Sequence, residues 1–113
     1  MKRGEVNLLS LIPVRNRDWE SRDGSSVVIL APRFTNRWLL EKVVPRLKNP
    51  YYKVSLDEVG SRVWMSCDGK KTVGEIAKRL RDEFGEDVEP VYDRLGSFFK
   101  TMEEHLFIRF KNI

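Results

Sequence analysis

Residues 55–84 read SLDEVGSRVWMSCDGKKTVGEIAKRLRDEF, and this stretch predicts two short helices joined by a tight turn. Ser55 precedes Glu58 by three residues, and Thr72 precedes Glu75 by three. This is the spacing of a capping box, in which a hydroxyl and a carboxylate satisfy free amide groups at the start of a helix. We therefore expect one helix to begin behind each pair.

The apolar residues behind each pair follow the spacing of a buried helix face. Asp68-Gly69 predicts the turn between the helices, and Gly85 predicts the end of the second one. The apolar positions are Leu56, Val59, Val63, Trp64 and Cys67 in the first helix, and Val73, Ile76, Ala77, Leu80 and Phe84 in the second.

Three strands are predicted ahead of this helical pair. Asp18–Arg22 and the β-branched run Val27–Ala31 flank the turn Asp23-Gly24, which is typical of a hairpin. Tyr51–Ser55 follows Pro50 as the third strand. Because side chains alternate along a strand, Tyr52 and Val54 share one face of it.

A third helix is predicted from Pro90 to about Glu104, and Leu106–Phe110 closes the chain as a short extended segment. The fold class is therefore α+β, winged-helix-like, with three strands followed by three helices. The apolar stripe of the third helix comprises Val88, Val91, Tyr92, Leu95, Phe98, Phe99 and Met102.

The length of 113 residues predicts one domain, with residues 1–17 as an N-terminal arm, ordered in part at best, and 18–113 as the domain. Residues 33–50 are interpreted as a basic amphipathic insertion around Trp38. We expect it to pack on its own domain. Contact with a membrane surface or a partner protein is the alternative.

The composition indicates a cytoplasmic protein. No apolar run approaches the roughly 18 residues of a membrane span, and no signal peptide is recognisable. Cys67 is the single cysteine, so an internal disulfide is excluded, as is usual in a reducing compartment.

The sequence argues against catalysis. Cys67 and the single histidine, His105, cannot supply the three or four ligands of a zinc site, and no glycine-rich phosphate loop is present. Cys67 lies on an apolar helix stripe, where a structural role is expected. We predict no catalytic residues, no metal and no cofactor.

DNA binding is the alternative function, because a helix-turn-helix pattern accompanies a net charge of +4. Residues 1–55 carry eleven Lys/Arg and five Asp/Glu. The third helix nevertheless contains more acids than bases, the reverse of a phosphate-binding surface. A purely structural subunit of a larger complex is a further alternative.

Peptide binding suits the predicted layout better. The outer edge of Tyr51–Ser55 would offer unpaired amides and carbonyls to an added strand, with the third helix as the opposite wall. Val54→Pro is the substitution expected to remove an edge amide. The candidate peptide-binding residues are Tyr51, Tyr52, Lys53, Val54, Ser55, Val91, Arg94, Leu95 and Phe98.

These motifs together resemble the PqqD family, named after pyrroloquinoline quinone biosynthesis protein D. The resemblance spans most of the chain from Asp18 onward. It is carried by Leu56-Asp57-Glu58-Val59-Gly60, Val63-Trp64, Asp68-Gly69, Thr72-Val73-Gly74-Glu75-Ile76, Leu80, Phe84-Gly85, Val88, Val91, Leu95, Phe98-Phe99 and Leu106-Phe107-Ile108.

The resemblance implies a non-catalytic domain of the RiPP recognition element type. Such a domain binds the leader of a ribosomally made precursor peptide, beside its third strand and third helix, and presents it to a modifying enzyme, often a radical SAM protein. Residues 1–17 and 33–50 are longer than in typical members. They could dock that enzyme, mediate homodimerisation or shield the proposed edge.

Overall fold

The computed structural model describes residues 7–24, 26–32 and 51–112. Strands occupy the N-terminal half and are followed by three helices and a final strand, which confirms the α+β prediction. The elements are β1 (Pro13–Arg15), β2 (Trp19–Arg22), β3 (Ser26–Pro32), β4 (Tyr51–Ser55), α1 (Glu58–Ser66), α2 (Val73–Phe84), α3 (Val91–Glu104) and β5 (Ile108–Phe110).

The three predicted strands form one antiparallel sheet in the order β2-β3-β4. Ile29 of the central strand is paired with Trp19 on one side and Val54 on the other. Ile29 is fully buried, and Val54 packs against the same core. One face of the sheet therefore covers the helices. The predicted insertion, residues 33–50, lies outside the described residues.

The N-terminal segment is built into the fold from Asn7 onward, although we expected it to be ordered in part at best. β1 pairs with β5 in a second, two-stranded sheet. Leu11 is 5% exposed, and the Asn112 side chain accepts from the Ile12 amide at 3.0 Å. Nothing local in the sequence indicated this pairing, because the two strands lie far apart along the chain. The division between residues 17 and 18 stays a prediction.

One of the two predicted capping boxes is confirmed. The Thr72 hydroxyl accepts from the Glu75 amide at 3.1 Å, and the Glu75 carboxylate accepts from the Thr72 amide at 3.1 Å. Both orphan donors at the start of α2 are thereby satisfied.

The capping box at Ser55 and Glu58 is wrong. Ser55 is the last residue of β4, paired with Val28, and the sheet holds its backbone extended. Asp57 caps α1 instead, its Oδ1 accepting from the Gly60 amide at 2.7 Å. Because pairing with β3 keeps Ser55 in the extended conformation, the cap of α1 lies two residues after Ser55, at Asp57.

Arg81 fixes the start of α3 against the end of α2. Its Nε and Nη2 donate to the two carboxylate oxygens of Glu89 at 2.8 and 3.3 Å, and Nη1 donates to the Tyr92 hydroxyl at 3.2 Å. The Glu89 carboxylate also accepts from the Val91 amide at 3.1 Å. The first turn of α3 is thus held from α2, which positions the helix beside the sheet.

Candidate peptide-binding groove

β4 is an edge strand of the sheet that the described residues form, because it pairs with β3 alone. The described part of the N-terminal arm does not cover this edge, since its strand pairs with β5. Within the described part of the chain, one side of the β4 backbone therefore faces no other strand.

The register decides which backbone groups of β4 point outward. The Leu56 amide donates to the Val27 carbonyl at 2.9 Å, so these directly opposite residues form a hydrogen-bonded pair. Hydrogen-bonded pairs alternate along an antiparallel ladder. Tyr52 and Val54 therefore bond to β3, while Tyr51, Lys53 and Ser55 direct their amides and carbonyls to the outer edge.

This alternation corrects the substitution suggested by the sequence. Val54 is paired with Ile29 and directs its amide inward. Val54→Pro would therefore break the sheet and would leave the outer edge intact. Lys53 is the central residue whose outward amide a proline would remove.

A groove of about 740 Å³ lies where the end of β4 meets α1 and α3. Of the predicted residues, Ser55, Arg94 and Phe98 line it. The sequence analysis did not assign the remaining wall residues to the binding site; these are Leu56, Asp57, Gly60, Asp93, Ser97, Thr101 and Met102. Helical spacing from Arg94 points to Ser97, Phe98 and Thr101, whereas Gly60, although part of the family motif, is not related to them by any local spacing.

A smaller apolar pocket of about 120 Å³ adjoins the groove. Four residues, Asp57, Gly60, Arg94 and Phe98, line both spaces. Val91 and Leu95 also line the pocket, but they are 1% and 3% exposed and belong mainly to the core. The pocket has the size of one aliphatic side chain.

The predicted strand residues are divided between two ends of the sheet. Ser55 reaches the groove, whereas Tyr51, 56% exposed, lines a separate cavity of about 630 Å³ beside Arg15 and Trp19. Tyr52 is 38% exposed, and Val54 is half-buried against the core. The structure therefore brings only part of the predicted set together.

Charge at the groove is mixed. The Arg94 guanidinium donates to the Asp87 carbonyl at 2.9 Å, so part of its hydrogen-bonding capacity is used at the edge of the groove. One carboxylate oxygen of Asp57 accepts the hydrogen bond that caps α1. Asp93 also lines the groove, so its wall carries two carboxylates and one guanidinium group.

The groups that could perform chemistry lie elsewhere. Burial raises the pKa of the Cys67 thiol to about 12, although the charge of Arg15 acts in the opposite direction. The thiol is therefore not an activated nucleophile. Among residues 7–24, 26–32 and 51–112, no group of three or more His, Cys, Asp or Glu could hold a metal ion. Over the same residues, no helix has the length and apolar character needed to cross a membrane.

Comparison with known proteins identifies a family. The family model described as coenzyme PQQ synthesis protein D (PqqD) matches residues 41–108. This range contains β4, α1, α2, α3 and the residues that line the groove. No curated protein and no solved structure matches the chain.

Proposed function

Because this chain belongs to the PqqD family, we propose that it binds the leader of a ribosomally made precursor peptide at β4. It then presents that leader to a peptide-modifying enzyme of the radical SAM type. Members of this family are non-catalytic, peptide-binding accessory proteins of biosynthesis. The peptide adds to the sheet as a fourth strand beside the outer edge of Tyr51–Ser55.

The observation that carries this proposal is that a strand edge left unpaired by the other described strands runs directly into the groove. The edge offers the outward amides and carbonyls of Tyr51, Lys53 and Ser55, and main-chain bonds of this kind give affinity. Ser55, at the end of β4, is also a wall residue of the groove. Side chains of an added strand would enter the space beside Phe98, and this contact gives selectivity.

The described part of the structure does not support the DNA-binding alternative. Groove and edge are lined by neutral, acidic and basic residues together, and Asp93 lies on the exposed side of α3. A phosphate-binding surface requires an excess of cations. No observation made on the described residues therefore favours nucleic acid over peptide.

The experiment removes one outward amide and measures peptide affinity. The probe is a fluorescein-labelled peptide enriched from a displayed library of random sequences on the immobilised protein, and anisotropy gives its Kd. Lys53→Pro should abolish binding and leave the protein folded, because proline is tolerated where an edge amide faces solvent. Lys53→Ala, which keeps the amide and removes only the side chain, should weaken binding by no more than about threefold.

Ser21→Pro is the matched control on the opposite edge. Directly before β2, the Asp18 carbonyl accepts from the Leu30 amide at 2.9 Å, so the alternating pattern directs the Ser21 amide away from β3. This variant should bind peptide with unchanged affinity. Undiminished binding to Lys53→Pro, or failure of the library to yield any binder, would refute the proposal.

A further inference from the structure

Lys53 occupies the middle of the outward-facing edge. Its side chain is 60% exposed, and its Nζ lies 3.0 Å from Glu20 Oε1 across the sheet. The side chain points away from the helices, because its neighbours Tyr52 and Val54 occupy the helix-facing side. A cation thus stands beside the proposed binding edge, on the face opposite the groove.

Strand geometry defines what an added strand places there. Residues directly opposite each other in neighbouring strands share a face, with their β-carbons about 4.5–5.5 Å apart. The peptide residue opposite Lys53 therefore lies on the face of its ammonium group. The two residues flanking it stand opposite Tyr52 and Val54, on the helix-facing side of the sheet.

Lys53 can accept a second carboxylate. Its ammonium group has three donors, and the exposed Glu20, with 48% of its side chain accessible, uses one of them. The existing pair is exposed and contributes little to stability. The same cation also disfavours antiparallel pairing of two β4 strands centred on Lys53, since like charges would then be opposed.

We propose, on the basis of the proposed function, that the peptides selected by this edge carry an acidic residue opposite Lys53, with an apolar residue on each side of it. The acid pairs with the ammonium group on the outer face. The two apolar side chains turn toward Tyr52 and Val54 on the helix-facing side. The recognised segment is therefore apolar–acidic–apolar in extended conformation.

The test uses the tightest peptide enriched from the library, resynthesised with Glu, Gln or Lys at each position in turn. One position should prefer Glu over Gln and Gln over Lys, by roughly threefold per step, as expected for cross-strand charge pairs. Its two neighbours should lose affinity when made polar. The preference should shrink as salt concentration rises.

The decisive variant exchanges the two charges of the existing pair. The double variant Glu20→Lys, Lys53→Glu keeps an ion pair across the sheet but reverses the charge at the edge. The peptide position that preferred Glu should therefore now prefer Lys. Arg22→Glu, an exposed charge reversal on the opposite edge strand, is the control and should leave the order unchanged.

The outcomes separate the two proposals. One adverse result is that peptides bind through the β4 backbone without any position that prefers an acid, and another is that the double variant leaves the preference for Glu unchanged. Either result overturns the pairing of an acidic peptide residue with Lys53, and the proposed function stands. If no peptide binds, both are overturned.

Discussion

Gly60 of α1 faces the ring of Phe98 of α3: a β-carbon at position 60 would stand 3.6 Å from Phe98 Cε2 and 3.0 Å from Asp57 Oδ1. Gly60 lines both the groove and the apolar pocket. The missing side chain at this position therefore creates part of the space into which a peptide would bind.

Gly60→Ala should weaken peptide binding roughly fivefold, the factor that corresponds to about 1 kcal/mol. The added methyl group narrows the groove, while the gain in helix propensity offsets the crowding of Asp57. Titration of the labelled peptide measures the loss. The control is Gly96→Ala in α3, where the nearest atom, Leu8 Cδ2, is 4.0 Å away. Equal affinities for both variants would contradict this role of Gly60.

Asp57→Ala should lower the free energy of unfolding by about 1 kcal/mol, because α1 loses its capping side chain. Ser55→Ala should change it by less than about 0.5 kcal/mol, since Ser55 lies in β4 and caps nothing. Urea denaturation measures both. A larger loss of unfolding free energy in Ser55→Ala than in Asp57→Ala would support the capping box that the sequence predicted at Ser55.

We expect the free energy of unfolding to fall in acid, in part because the Glu89 carboxylate becomes protonated. The hydrogen bond from Arg81, followed by that from the Val91 amide, holds the pKa of this carboxyl below its usual value of 4.5. A lowered folded-state pKa contributes stability that is present above the unfolded value and is lost as pH falls through the folded one. Part of the decline below about pH 4.5 should therefore disappear in Arg81→Ala.

Unfolding by urea at a series of acidic pH values measures this dependence. Arg79→Ala, which removes a neighbouring exposed cation of α2, is the control and should keep the slope of the unchanged protein. If Arg81→Ala and the parent chain decline in parallel, the Arg81–Glu89 pair does not supply the acid dependence.

Cys67 should resist thiol reagents in the folded protein. The side chain is fully buried, and its pKa is raised to about 12, so the thiolate is scarce at neutral pH. Reaction with a chromogenic disulfide should be slow in buffer and rapid in denaturant. Because the folded state disfavours the thiolate, its contribution to stability is complete below the ordinary pKa of 9.0 and is lost as pH rises toward 12. Rapid labelling under native conditions would contradict this burial.

The sequence predicted that Tyr51–Ser55 is a strand, and the structure confirms this strand, whereas several residues that line the adjoining groove were not assigned to the site. The sequence indicates that Tyr51–Ser55 is a strand and that Arg94 and Phe98 lie on one helix, since both are local patterns. It does not show that Gly60 meets Phe98, because this contact joins helices separated by the whole of α2. Tyr51 was assigned to the site by strand membership alone, and the structure places it at a different cavity.

By itself, the sequence determined the elements whose signals are local: the periodicity of the three helices, the cap at Thr72 and the hairpin at Asp23-Gly24. Tertiary structure alone decided the pairing of β1 with β5, the cap at Asp57 and the direction of each β4 amide. Each of these depends on the register between segments distant along the chain. Local propensity carries no information about which residue will stand opposite another, and the register of β4 against β3 is the physical reason that Lys53, rather than Val54, faces the outer edge.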